Sequence, residues 1–194
     1  MVIASQLRPG MAIKYQGQSY KVVAAEYHPG QGKMGGATHT RLRNLSTGTF
    51  WEQSFRSELK LDTIPVERQT LEFLYEDAEQ CVFMNPDTYE QTEILKSTVG
   101  EQWPFLGAGM RLPVEFVDGT PIGVLFPDYV EVRIADTAPA MHQQADAAFK
   151  PATLDNGVEV MVPQFVKTGD SIRLDLRTMK YMDRVKAEAA GKSR

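Results

Sequence analysis

Apolar and polar residues alternate over short stretches of this chain, and turn residues break the pattern every few positions. Such a rhythm predicts strands joined by tight turns rather than helices. Met11–Tyr15 and Ser19–Glu26 flank Gln16-Gly17-Gln18, a hairpin signal. Thr38–Asn44 and Thr49–Ser54 flank Ser46-Thr47-Gly48 in the same way. Four or five strands over about 60 residues predict a small SH3-like barrel. In Lys60-Leu-Asp-Thr-Ile-Pro-Val-Glu67, Pro65 marks a boundary. Beyond it, strands are expected at Arg68–Tyr75, Cys81–Asn85, Tyr89–Glu93, Arg111–Val117 and Gly119–Leu125. Only Ile94–Gly100 and Gln102–Leu106 look helical, so this segment fits an OB-type barrel. A third set follows Phe126-Pro-Asp-Tyr129: Val130–Ala135, Ala152–Leu154, Val158–Val162, Ser171–Asp175 and Tyr181–Val185. Ala138–Ala148 has no clear period and reads as a loop. The expected fold class is all-β, with segments 1–64, 65–129 and 130–186 and a frayed tail at 187–194.

Composition narrows the class without naming a function. Of 194 residues, 42% are hydrophobic and 24% charged, the balance of a water-soluble globular protein. No apolar run approaches the roughly 18 residues of a membrane span. The start, Met-Val-Ile-Ala-Ser-Gln-Leu-Arg, lacks the basic and apolar regions of an export signal. Cys81 is the one cysteine, so no internal disulfide forms, and a cytoplasmic location is expected. The net charge of −4 is unevenly spread. Residues 1–64 hold 8 Lys and Arg against 4 Asp and Glu, residues 65–129 hold 3 against 12, and residues 130–194 hold 10 against 9. A basic head approaches phosphates while an acidic middle repels them, so nucleic-acid contact is expected at the head.

Candidate chemistry is concentrated in one loop, His28-Pro-Gly-Gln-Gly-Lys-Met-Gly-Gly36, between two strand-like runs. Its glycines leave the tip almost bare, and Lys33 is its one cation, so a slim hairpin carries a lone ammonium like a probe. The bland alternative is a floppy surface hairpin with an incidental lysine. Gly30-Gln-Gly-Lys-Met-Gly35 matches the dinucleotide-binding string G-x-G-x-x-G, which leaves a nucleotide binder as a competing function. That string should open a helix, yet His39-Thr-Arg-Leu-Arg43 alternates like a strand. A Walker loop needs Ser or Thr after its lysine, and Met34 stands there. His28, His39 and His142 have no Cys or carboxylate at metal-ligand spacing, so no metal is expected. No nucleophile elbow or Cys/His pairing suggests catalysis. Arg41, Arg43 and Arg56 are candidates for RNA-backbone contact, with Arg41 and Arg43 on one strand face. Carboxylates of the middle segment are expected to form a solvated acidic face.

A resemblance adds to this reading. The stretch Lys150-Pro-Ala-Thr-Leu-Asp-Asn-Gly-Val-Glu-Val-Met-Val-Pro-Gln-Phe-Val-Lys-Thr-Gly169 resembles the C-terminal signature of bacterial elongation factor P. Leu7-Arg-Pro-Gly-Met11, Arg41-Leu-Arg-Asn-Leu-Ser-Thr-Gly48, Tyr89-Glu-Gln91, Gly169-Asp-Ser-Ile-Arg173 and Lys180-Tyr-Met-Asp-Arg-Val185 also resemble segments of that family. The likeness runs nearly the full length.

The resemblance implies three small β-barrels in an L shape, a KOW-type SH3-like domain followed by two OB-like domains. It implies a cytoplasmic, monomeric factor that is not an enzyme and needs no cofactor or membrane. Its partners would be the 70S ribosome, peptidyl tRNA and ribosomal RNA. It would enter between the peptidyl and exit sites and relieve stalling on consecutive prolines. His28, Pro29, Gly30, Gln31, Gly32, Lys33, Met34, Gly35 and Gly36 would form the loop that meets peptidyl tRNA, with Lys33 at its tip.

Two departures stand out. Gln31 follows Pro29-Gly30 where the common bacterial tip residue stands, and the loop runs two residues longer. Gly32-Lys-Met-Gly35 instead resembles the Gly-Lys-x-Gly tip of hypusine-bearing archaeal and eukaryotic relatives, so Lys33 is the candidate for modification by a lysine-modifying enzyme. The third-segment loop often carries Gly-Asp-Thr, whereas this chain has Gln143-Gln-Ala145. A paralogue with a different stalling-motif preference is the alternative these departures raise.

Overall fold

Tight turns set the register of the first sheet. Gln16 (φ 48°) and Gly17 (φ 79°) both take left-handed backbone between the paired residues Tyr15 and Gln18. This is the two-residue turn whose twist matches that of the flanking strands. Asp118 (φ 48°) and Gly119 (φ 76°) repeat it between Val117 and Thr120. A computed structural model describes residues 1–30, 35–139 and 149–185. The 16 strands described there form three curled antiparallel sheets, and helix is confined to short turns.

The first sheet is built from β1 (Val2–Ile3), β2 (Ala12–Tyr15), β3 (Gln18–His28), β4 (Ala37–Asn44), β5 (Phe50–Arg56) and β6 (Lys60–Ile64). Their order is β1-β6-β2-β3-β4-β5. Along β4, Thr38, Thr40, Leu42 and Asn44 are buried while His39 and Arg41 face solvent, the period of two that a half-buried strand requires. Leu42 packs with Ile13, Tyr20, Val22, Phe55 and Leu61 in the core of this sheet. A bulge between Val22 and Ala24 reverses the parity of β3, so beyond it Ala25 and Tyr27 lie opposite the buried Thr40 and Thr38.

The second sheet takes β7 (Glu67–Glu76), β8 (Gln80–Met84), β9 (Gln91–Leu95), β10 (Arg111–Val117) and β11 (Thr120–Val124), ordered β11-β10-β7-β8-β9. One helical turn, α1 (Lys96–Val99), follows β9. The third takes β12 (Tyr129–Thr137), β13 (Phe149–Leu154), β14 (Glu159–Pro163), β15 (Ser171–Asp175) and β16 (Lys180–Arg184), ordered β14-β13-β12-β15-β16. Ile134, Leu154, Val162, Ile172 and Leu174 form its core together with Phe105. The chain divides into two compact units, one holding residues 1–101 and 107–125, the other 102–106 and 126 onward.

Several expected boundaries move. The strand expected at Tyr89–Glu93 begins at Gln91, because Tyr89 (φ 61°) closes a turn capped by the Asn85 carboxamide. Ile94 and Leu95 continue that strand, which leaves only Lys96–Val99 helical. Gln102–Leu106 is a 3-10 turn at Trp103–Phe105. Lys60–Ile64, where no strand is expected, pairs with both β1 and β2. The loop at 140–148, including Gln143-Gln-Ala145, and the tail at 187–194 lie outside the described residues.

Within the first unit, two sheets are joined by an apolar patch and a buried charge. Ala12, Leu45 and Ile64 pack against Val66, Val117 and Ile122. Beside them Glu115, 1% exposed, departs from the solvated face expected of the middle carboxylates. Its Oε2 accepts from Lys21 Nζ at 2.5 Å, and its Oε1 accepts from Arg68 Nη2 at 2.9 Å and Nε at 3.1 Å. Lys21 belongs to the first sheet; Arg68 and Glu115 face each other on β7 and β10. A carboxylate taken out of water is tolerated only when paired and hydrogen-bonded. Glu115→Ala is expected to lower stability by about 3–5 kcal/mol, because Lys21 keeps a half-desolvated charge without its partner. Arg68→Ala, at a largely exposed position, is expected to cost no more than about 1 kcal/mol. Urea unfolding of the two variants checks the contrast.

Candidate nucleic-acid interface

Strands β3 and β4 flank the glycine loop. Their ladder runs from Tyr20 opposite Asn44 to His28 opposite Ala37, and β5 supports β4 as far as the pair Ala37 and Arg56. Both strands of the finger are therefore fixed up to its root. Gln31, Gly32, Lys33 and Met34 lie outside the described residues. His28, Pro29, Gly30, Gly35 and Gly36 form the described root on either side of them.

Chemistry at the root is polar and closely packed. The rings of His28 and His39 meet edge to face with centroids 4.8 Å apart. His28 Nε2 stands 3.7 Å from Glu26 Oε1, and His39 Nδ1 is hydrogen-bonded to Ser54 Oγ at 2.5 Å. Among the described residues no group of three or more His, Cys, Asp or Glu is placed to hold a metal ion. Gly36 is where the finger joins the sheet. A Cβ there would lie 2.8 Å from both Ser57 Oγ and Tyr27 Cε2, closer than real Cβ contacts, so only glycine lets the finger approach this surface.

The three arginines have different fates. Arg41 is exposed, with its guanidinium 4.7 Å from the centroid of the Phe50 ring. Arg56 is exposed at the root, opposite Ala37. Arg43 has partners within the fold. It shares the outward face of β4 with Arg41, but its Nη2 donates to Ser97 O at 2.9 Å and its Nη1 to Thr98 O at 3.4 Å. Burial holds this guanidinium below its ordinary pKa. Arg43 thus fastens the first sheet to α1, whose carbonyls attract a cation.

Comparison with known proteins decides the family. Three family models match in succession: the elongation factor P KOW-like domain over residues 3–61, the elongation factor P OB domain over 66–124, and the elongation factor P C-terminal domain over 130–184. Each falls on one of the three sheets. The chain belongs to the elongation factor P family. An elongation factor P from Acidobacterium capsulatum is 36% identical over 93% of this chain and 97% of its own length. One from Syntrophomonas wolfei is 37% identical over 95% of this chain and all of its own. A looser likeness to a solved structure, eukaryotic translation initiation factor 5A from Methanococcus jannaschii, has a TM-score of 0.46 at 17% identity and covers 64% of this chain and 92% of that one.

The protein is therefore a translation elongation factor. No helix among its described residues is long and apolar enough to cross a membrane. The sequence pointed to the loop of this elongation factor P family member, including the residues of its root, but not to the side chains packed beside that root. Tyr27 and Ser57 frame the root beside Gly36, and only the pairing register brings them there. The two outward arginines of β4 make opposite predictions. Arg43→Ala is expected to destabilise the fold by about 1.5–3 kcal/mol through the lost charged hydrogen bonds. Arg41→Ala is expected to cost at most about 1 kcal/mol, the worth of an exposed cation–aromatic contact. Thermal unfolding of both variants measures the difference.

Proposed function

We propose that this factor acts on the ribosome between the peptidyl and exit sites and that its finger presents Lys33 to the CCA end of peptidyl tRNA. The observation that carries the proposal is the continuous β3–β4–β5 ladder, which supports the finger up to His28 and Ala37 within a family of elongation factors. The basic head supports it too, since 8 Lys and Arg against 4 Asp and Glu in residues 1–64 favour approach to phosphates. Arg41 and Arg56 are the backbone-contact candidates that remain after Arg43 is assigned to the joint with α1.

The mechanism is positional. Proline reacts poorly in peptide bond formation because its ring is rigid and its geometry restricted. Holding the tRNA end and nascent chain removes unproductive orientations, so the reactants spend more time in a near-attack arrangement. One charge-assisted hydrogen bond from the Lys33 ammonium contributes about 1.5–3 kcal/mol. Expressed fully in the transition state, that is roughly ten- to a hundredfold in rate. The reacting groups all belong to the ribosome's substrates, so the factor is not an enzyme and uses no cofactor. It works as a cytoplasmic monomer. Glycines beside Lys33 permit close approach to RNA, and a lysine-modifying enzyme lengthens the side chain.

The longer loop, with Gln31 after Pro29-Gly30, favours a second version in which the stalling motifs relieved differ from those of other family members. Lys33→Ala is expected to spare folding and ribosome binding and to abolish relief of stalling. The measurement is peptide synthesis on a Pro-Pro-Pro message in a reconstituted translation system, with loss of roughly ten- to a hundredfold stimulation expected. Full stimulation by the variant contradicts the assignment. Repeating the assay over other stalling motifs separates the two versions.

A further inference from the structure

The third sheet, far from the glycine loop in sequence, carries an apolar groove on its outer surface. On the β13–β14 hairpin the pairing sets Phe149 opposite Pro163 and Pro151 opposite Met161. Lys150, Ala152, Val160 and Val162 between them are buried, so these four occupy the outward face. That is the face on which an antiparallel strand ordinarily turns polar residues to water. Phe149 is 50% exposed and Met161 54%. Phe149, Pro151 and Met161 line one wall of a groove of about 640 Å³, and Met179, Lys180 and Tyr181 line the other.

The groove follows the seam of the sheet. Strands β14 and β16 end the strand order, and among the described residues neither pairs with a further strand. Each therefore keeps one edge of main-chain N–H and C=O groups outside any ladder. Edge strands are often blunted by proline, and Pro163 does this at the end of β14. Phe165, two residues further on, spans the seam to Tyr181 with ring centroids 6.5 Å apart. The stretch beside Glu159, Val160 and Met161 is left open.

Charge selects the occupant. Glu159 and Lys180 are exposed on opposite walls, and neither has an ion pair among the described residues. Arg173, Arg177 and Arg184 in the same unit each have one. One cation facing one carboxylate leaves no positive excess to hold phosphates, which argues against a nucleic-acid strand. A polypeptide that carries both signs beside an apolar stretch complements the pair.

We propose that this groove takes an extended apolar segment of a partner protein, added as a strand along the seam between β14 and β16. Main-chain groups of the incoming strand pair with a free edge and supply affinity. Its alternate side chains enter the groove against Phe149, Met161 and Met179 and supply selectivity for apolar residues at a period of two. Methionine walls adapt to side chains of different shape, so several related sequences fit. Flanking basic and acidic residues meet Glu159 and Lys180. The groove belongs to the second compact unit and the glycine loop to the first, so this site stands or falls apart from the role of Lys33.

The test uses the full chain labelled with nitrogen-15 and a blocked peptide, acetyl-Lys-Glu-Val-Thr-Phe-Thr-Val-Lys-Glu-amide, whose charged ends suit either strand direction. The amide signals of Val160, Met161, Tyr181 and Met182 are expected to move on titration. N-methylation of the central Thr-Phe-Thr should weaken binding by roughly tenfold, the worth of two main-chain hydrogen bonds. Phe149→Ala and Met161→Ala, both at exposed positions, should each weaken it by roughly fivefold while the spectrum stays folded. Lys180→Glu should weaken it by about threefold at low salt and less at high salt. No shifts at millimolar peptide, shifts confined to other surfaces, or equal binding of the N-methylated peptide overturns strand addition. Heptauridylate binding at the same signals more tightly than the peptide overturns the assignment in favour of a nucleic acid. A concentration-dependent dimer in analytical ultracentrifugation that Met161→Ala abolishes overturns it in favour of a second copy of this chain.

Discussion

A single carboxylate joins the first sheet to the second. Glu115, buried at 1% exposure, is gripped by Lys21 from β3 and by Arg68 from the neighbouring strand β7. Lys21 stands on the strand that continues into the finger, so the same strand that carries the loop is bound to the second sheet. The packing of Ala12 and Ile64 against Val117 and Ile122 supplies the apolar part of this joint. Arg43, bonded to the carbonyls of Ser97 and Thr98, supplies a second polar one. Such anchoring supports the strand that leads into the loop, as any group that must be held in position requires.

The joint also gives meaning to the uneven charge. Acidic residues accumulate in the middle segment, where 12 Asp and Glu face 3 Lys and Arg. One of those acids is used to fasten the basic head instead of facing solvent. The head then keeps Arg41 and Arg56 exposed on and near the finger, while Arg43 is withdrawn. Exposed charge and charge that holds the fold together are thereby separated on one strand, at Arg41 and Arg43.

Much of this was legible from local pattern. Gln16-Gly17 announces its hairpin because both residues must take positive φ, and few residue pairs do so readily. The alternation of β4 follows from burial on one face, and Lys33 stands out because its loop has no other cation. The joint was not legible, because it depends on distant pairing. Glu115 lies 94 positions from Lys21 and looks like any other acid of its segment. Counting by twos from Val22 puts Tyr27 on the outer face; the bulge before Ala24 turns it to the inner one. Arg41 and Arg43 look equivalent in sequence and differ only in what the second sheet brings near them. Tyr89 was read as strand because its left-handed turn, capped by Asn85, carries no glycine.

The most direct measurement of the central claim is a structure of this factor bound to a ribosome stalled at consecutive prolines. The account predicts density for residues 28–36 beside the terminal adenosine of the peptidyl tRNA, with Lys33 as the nearest side chain. A complex in which that loop points into solvent, away from the tRNA end, would contradict it.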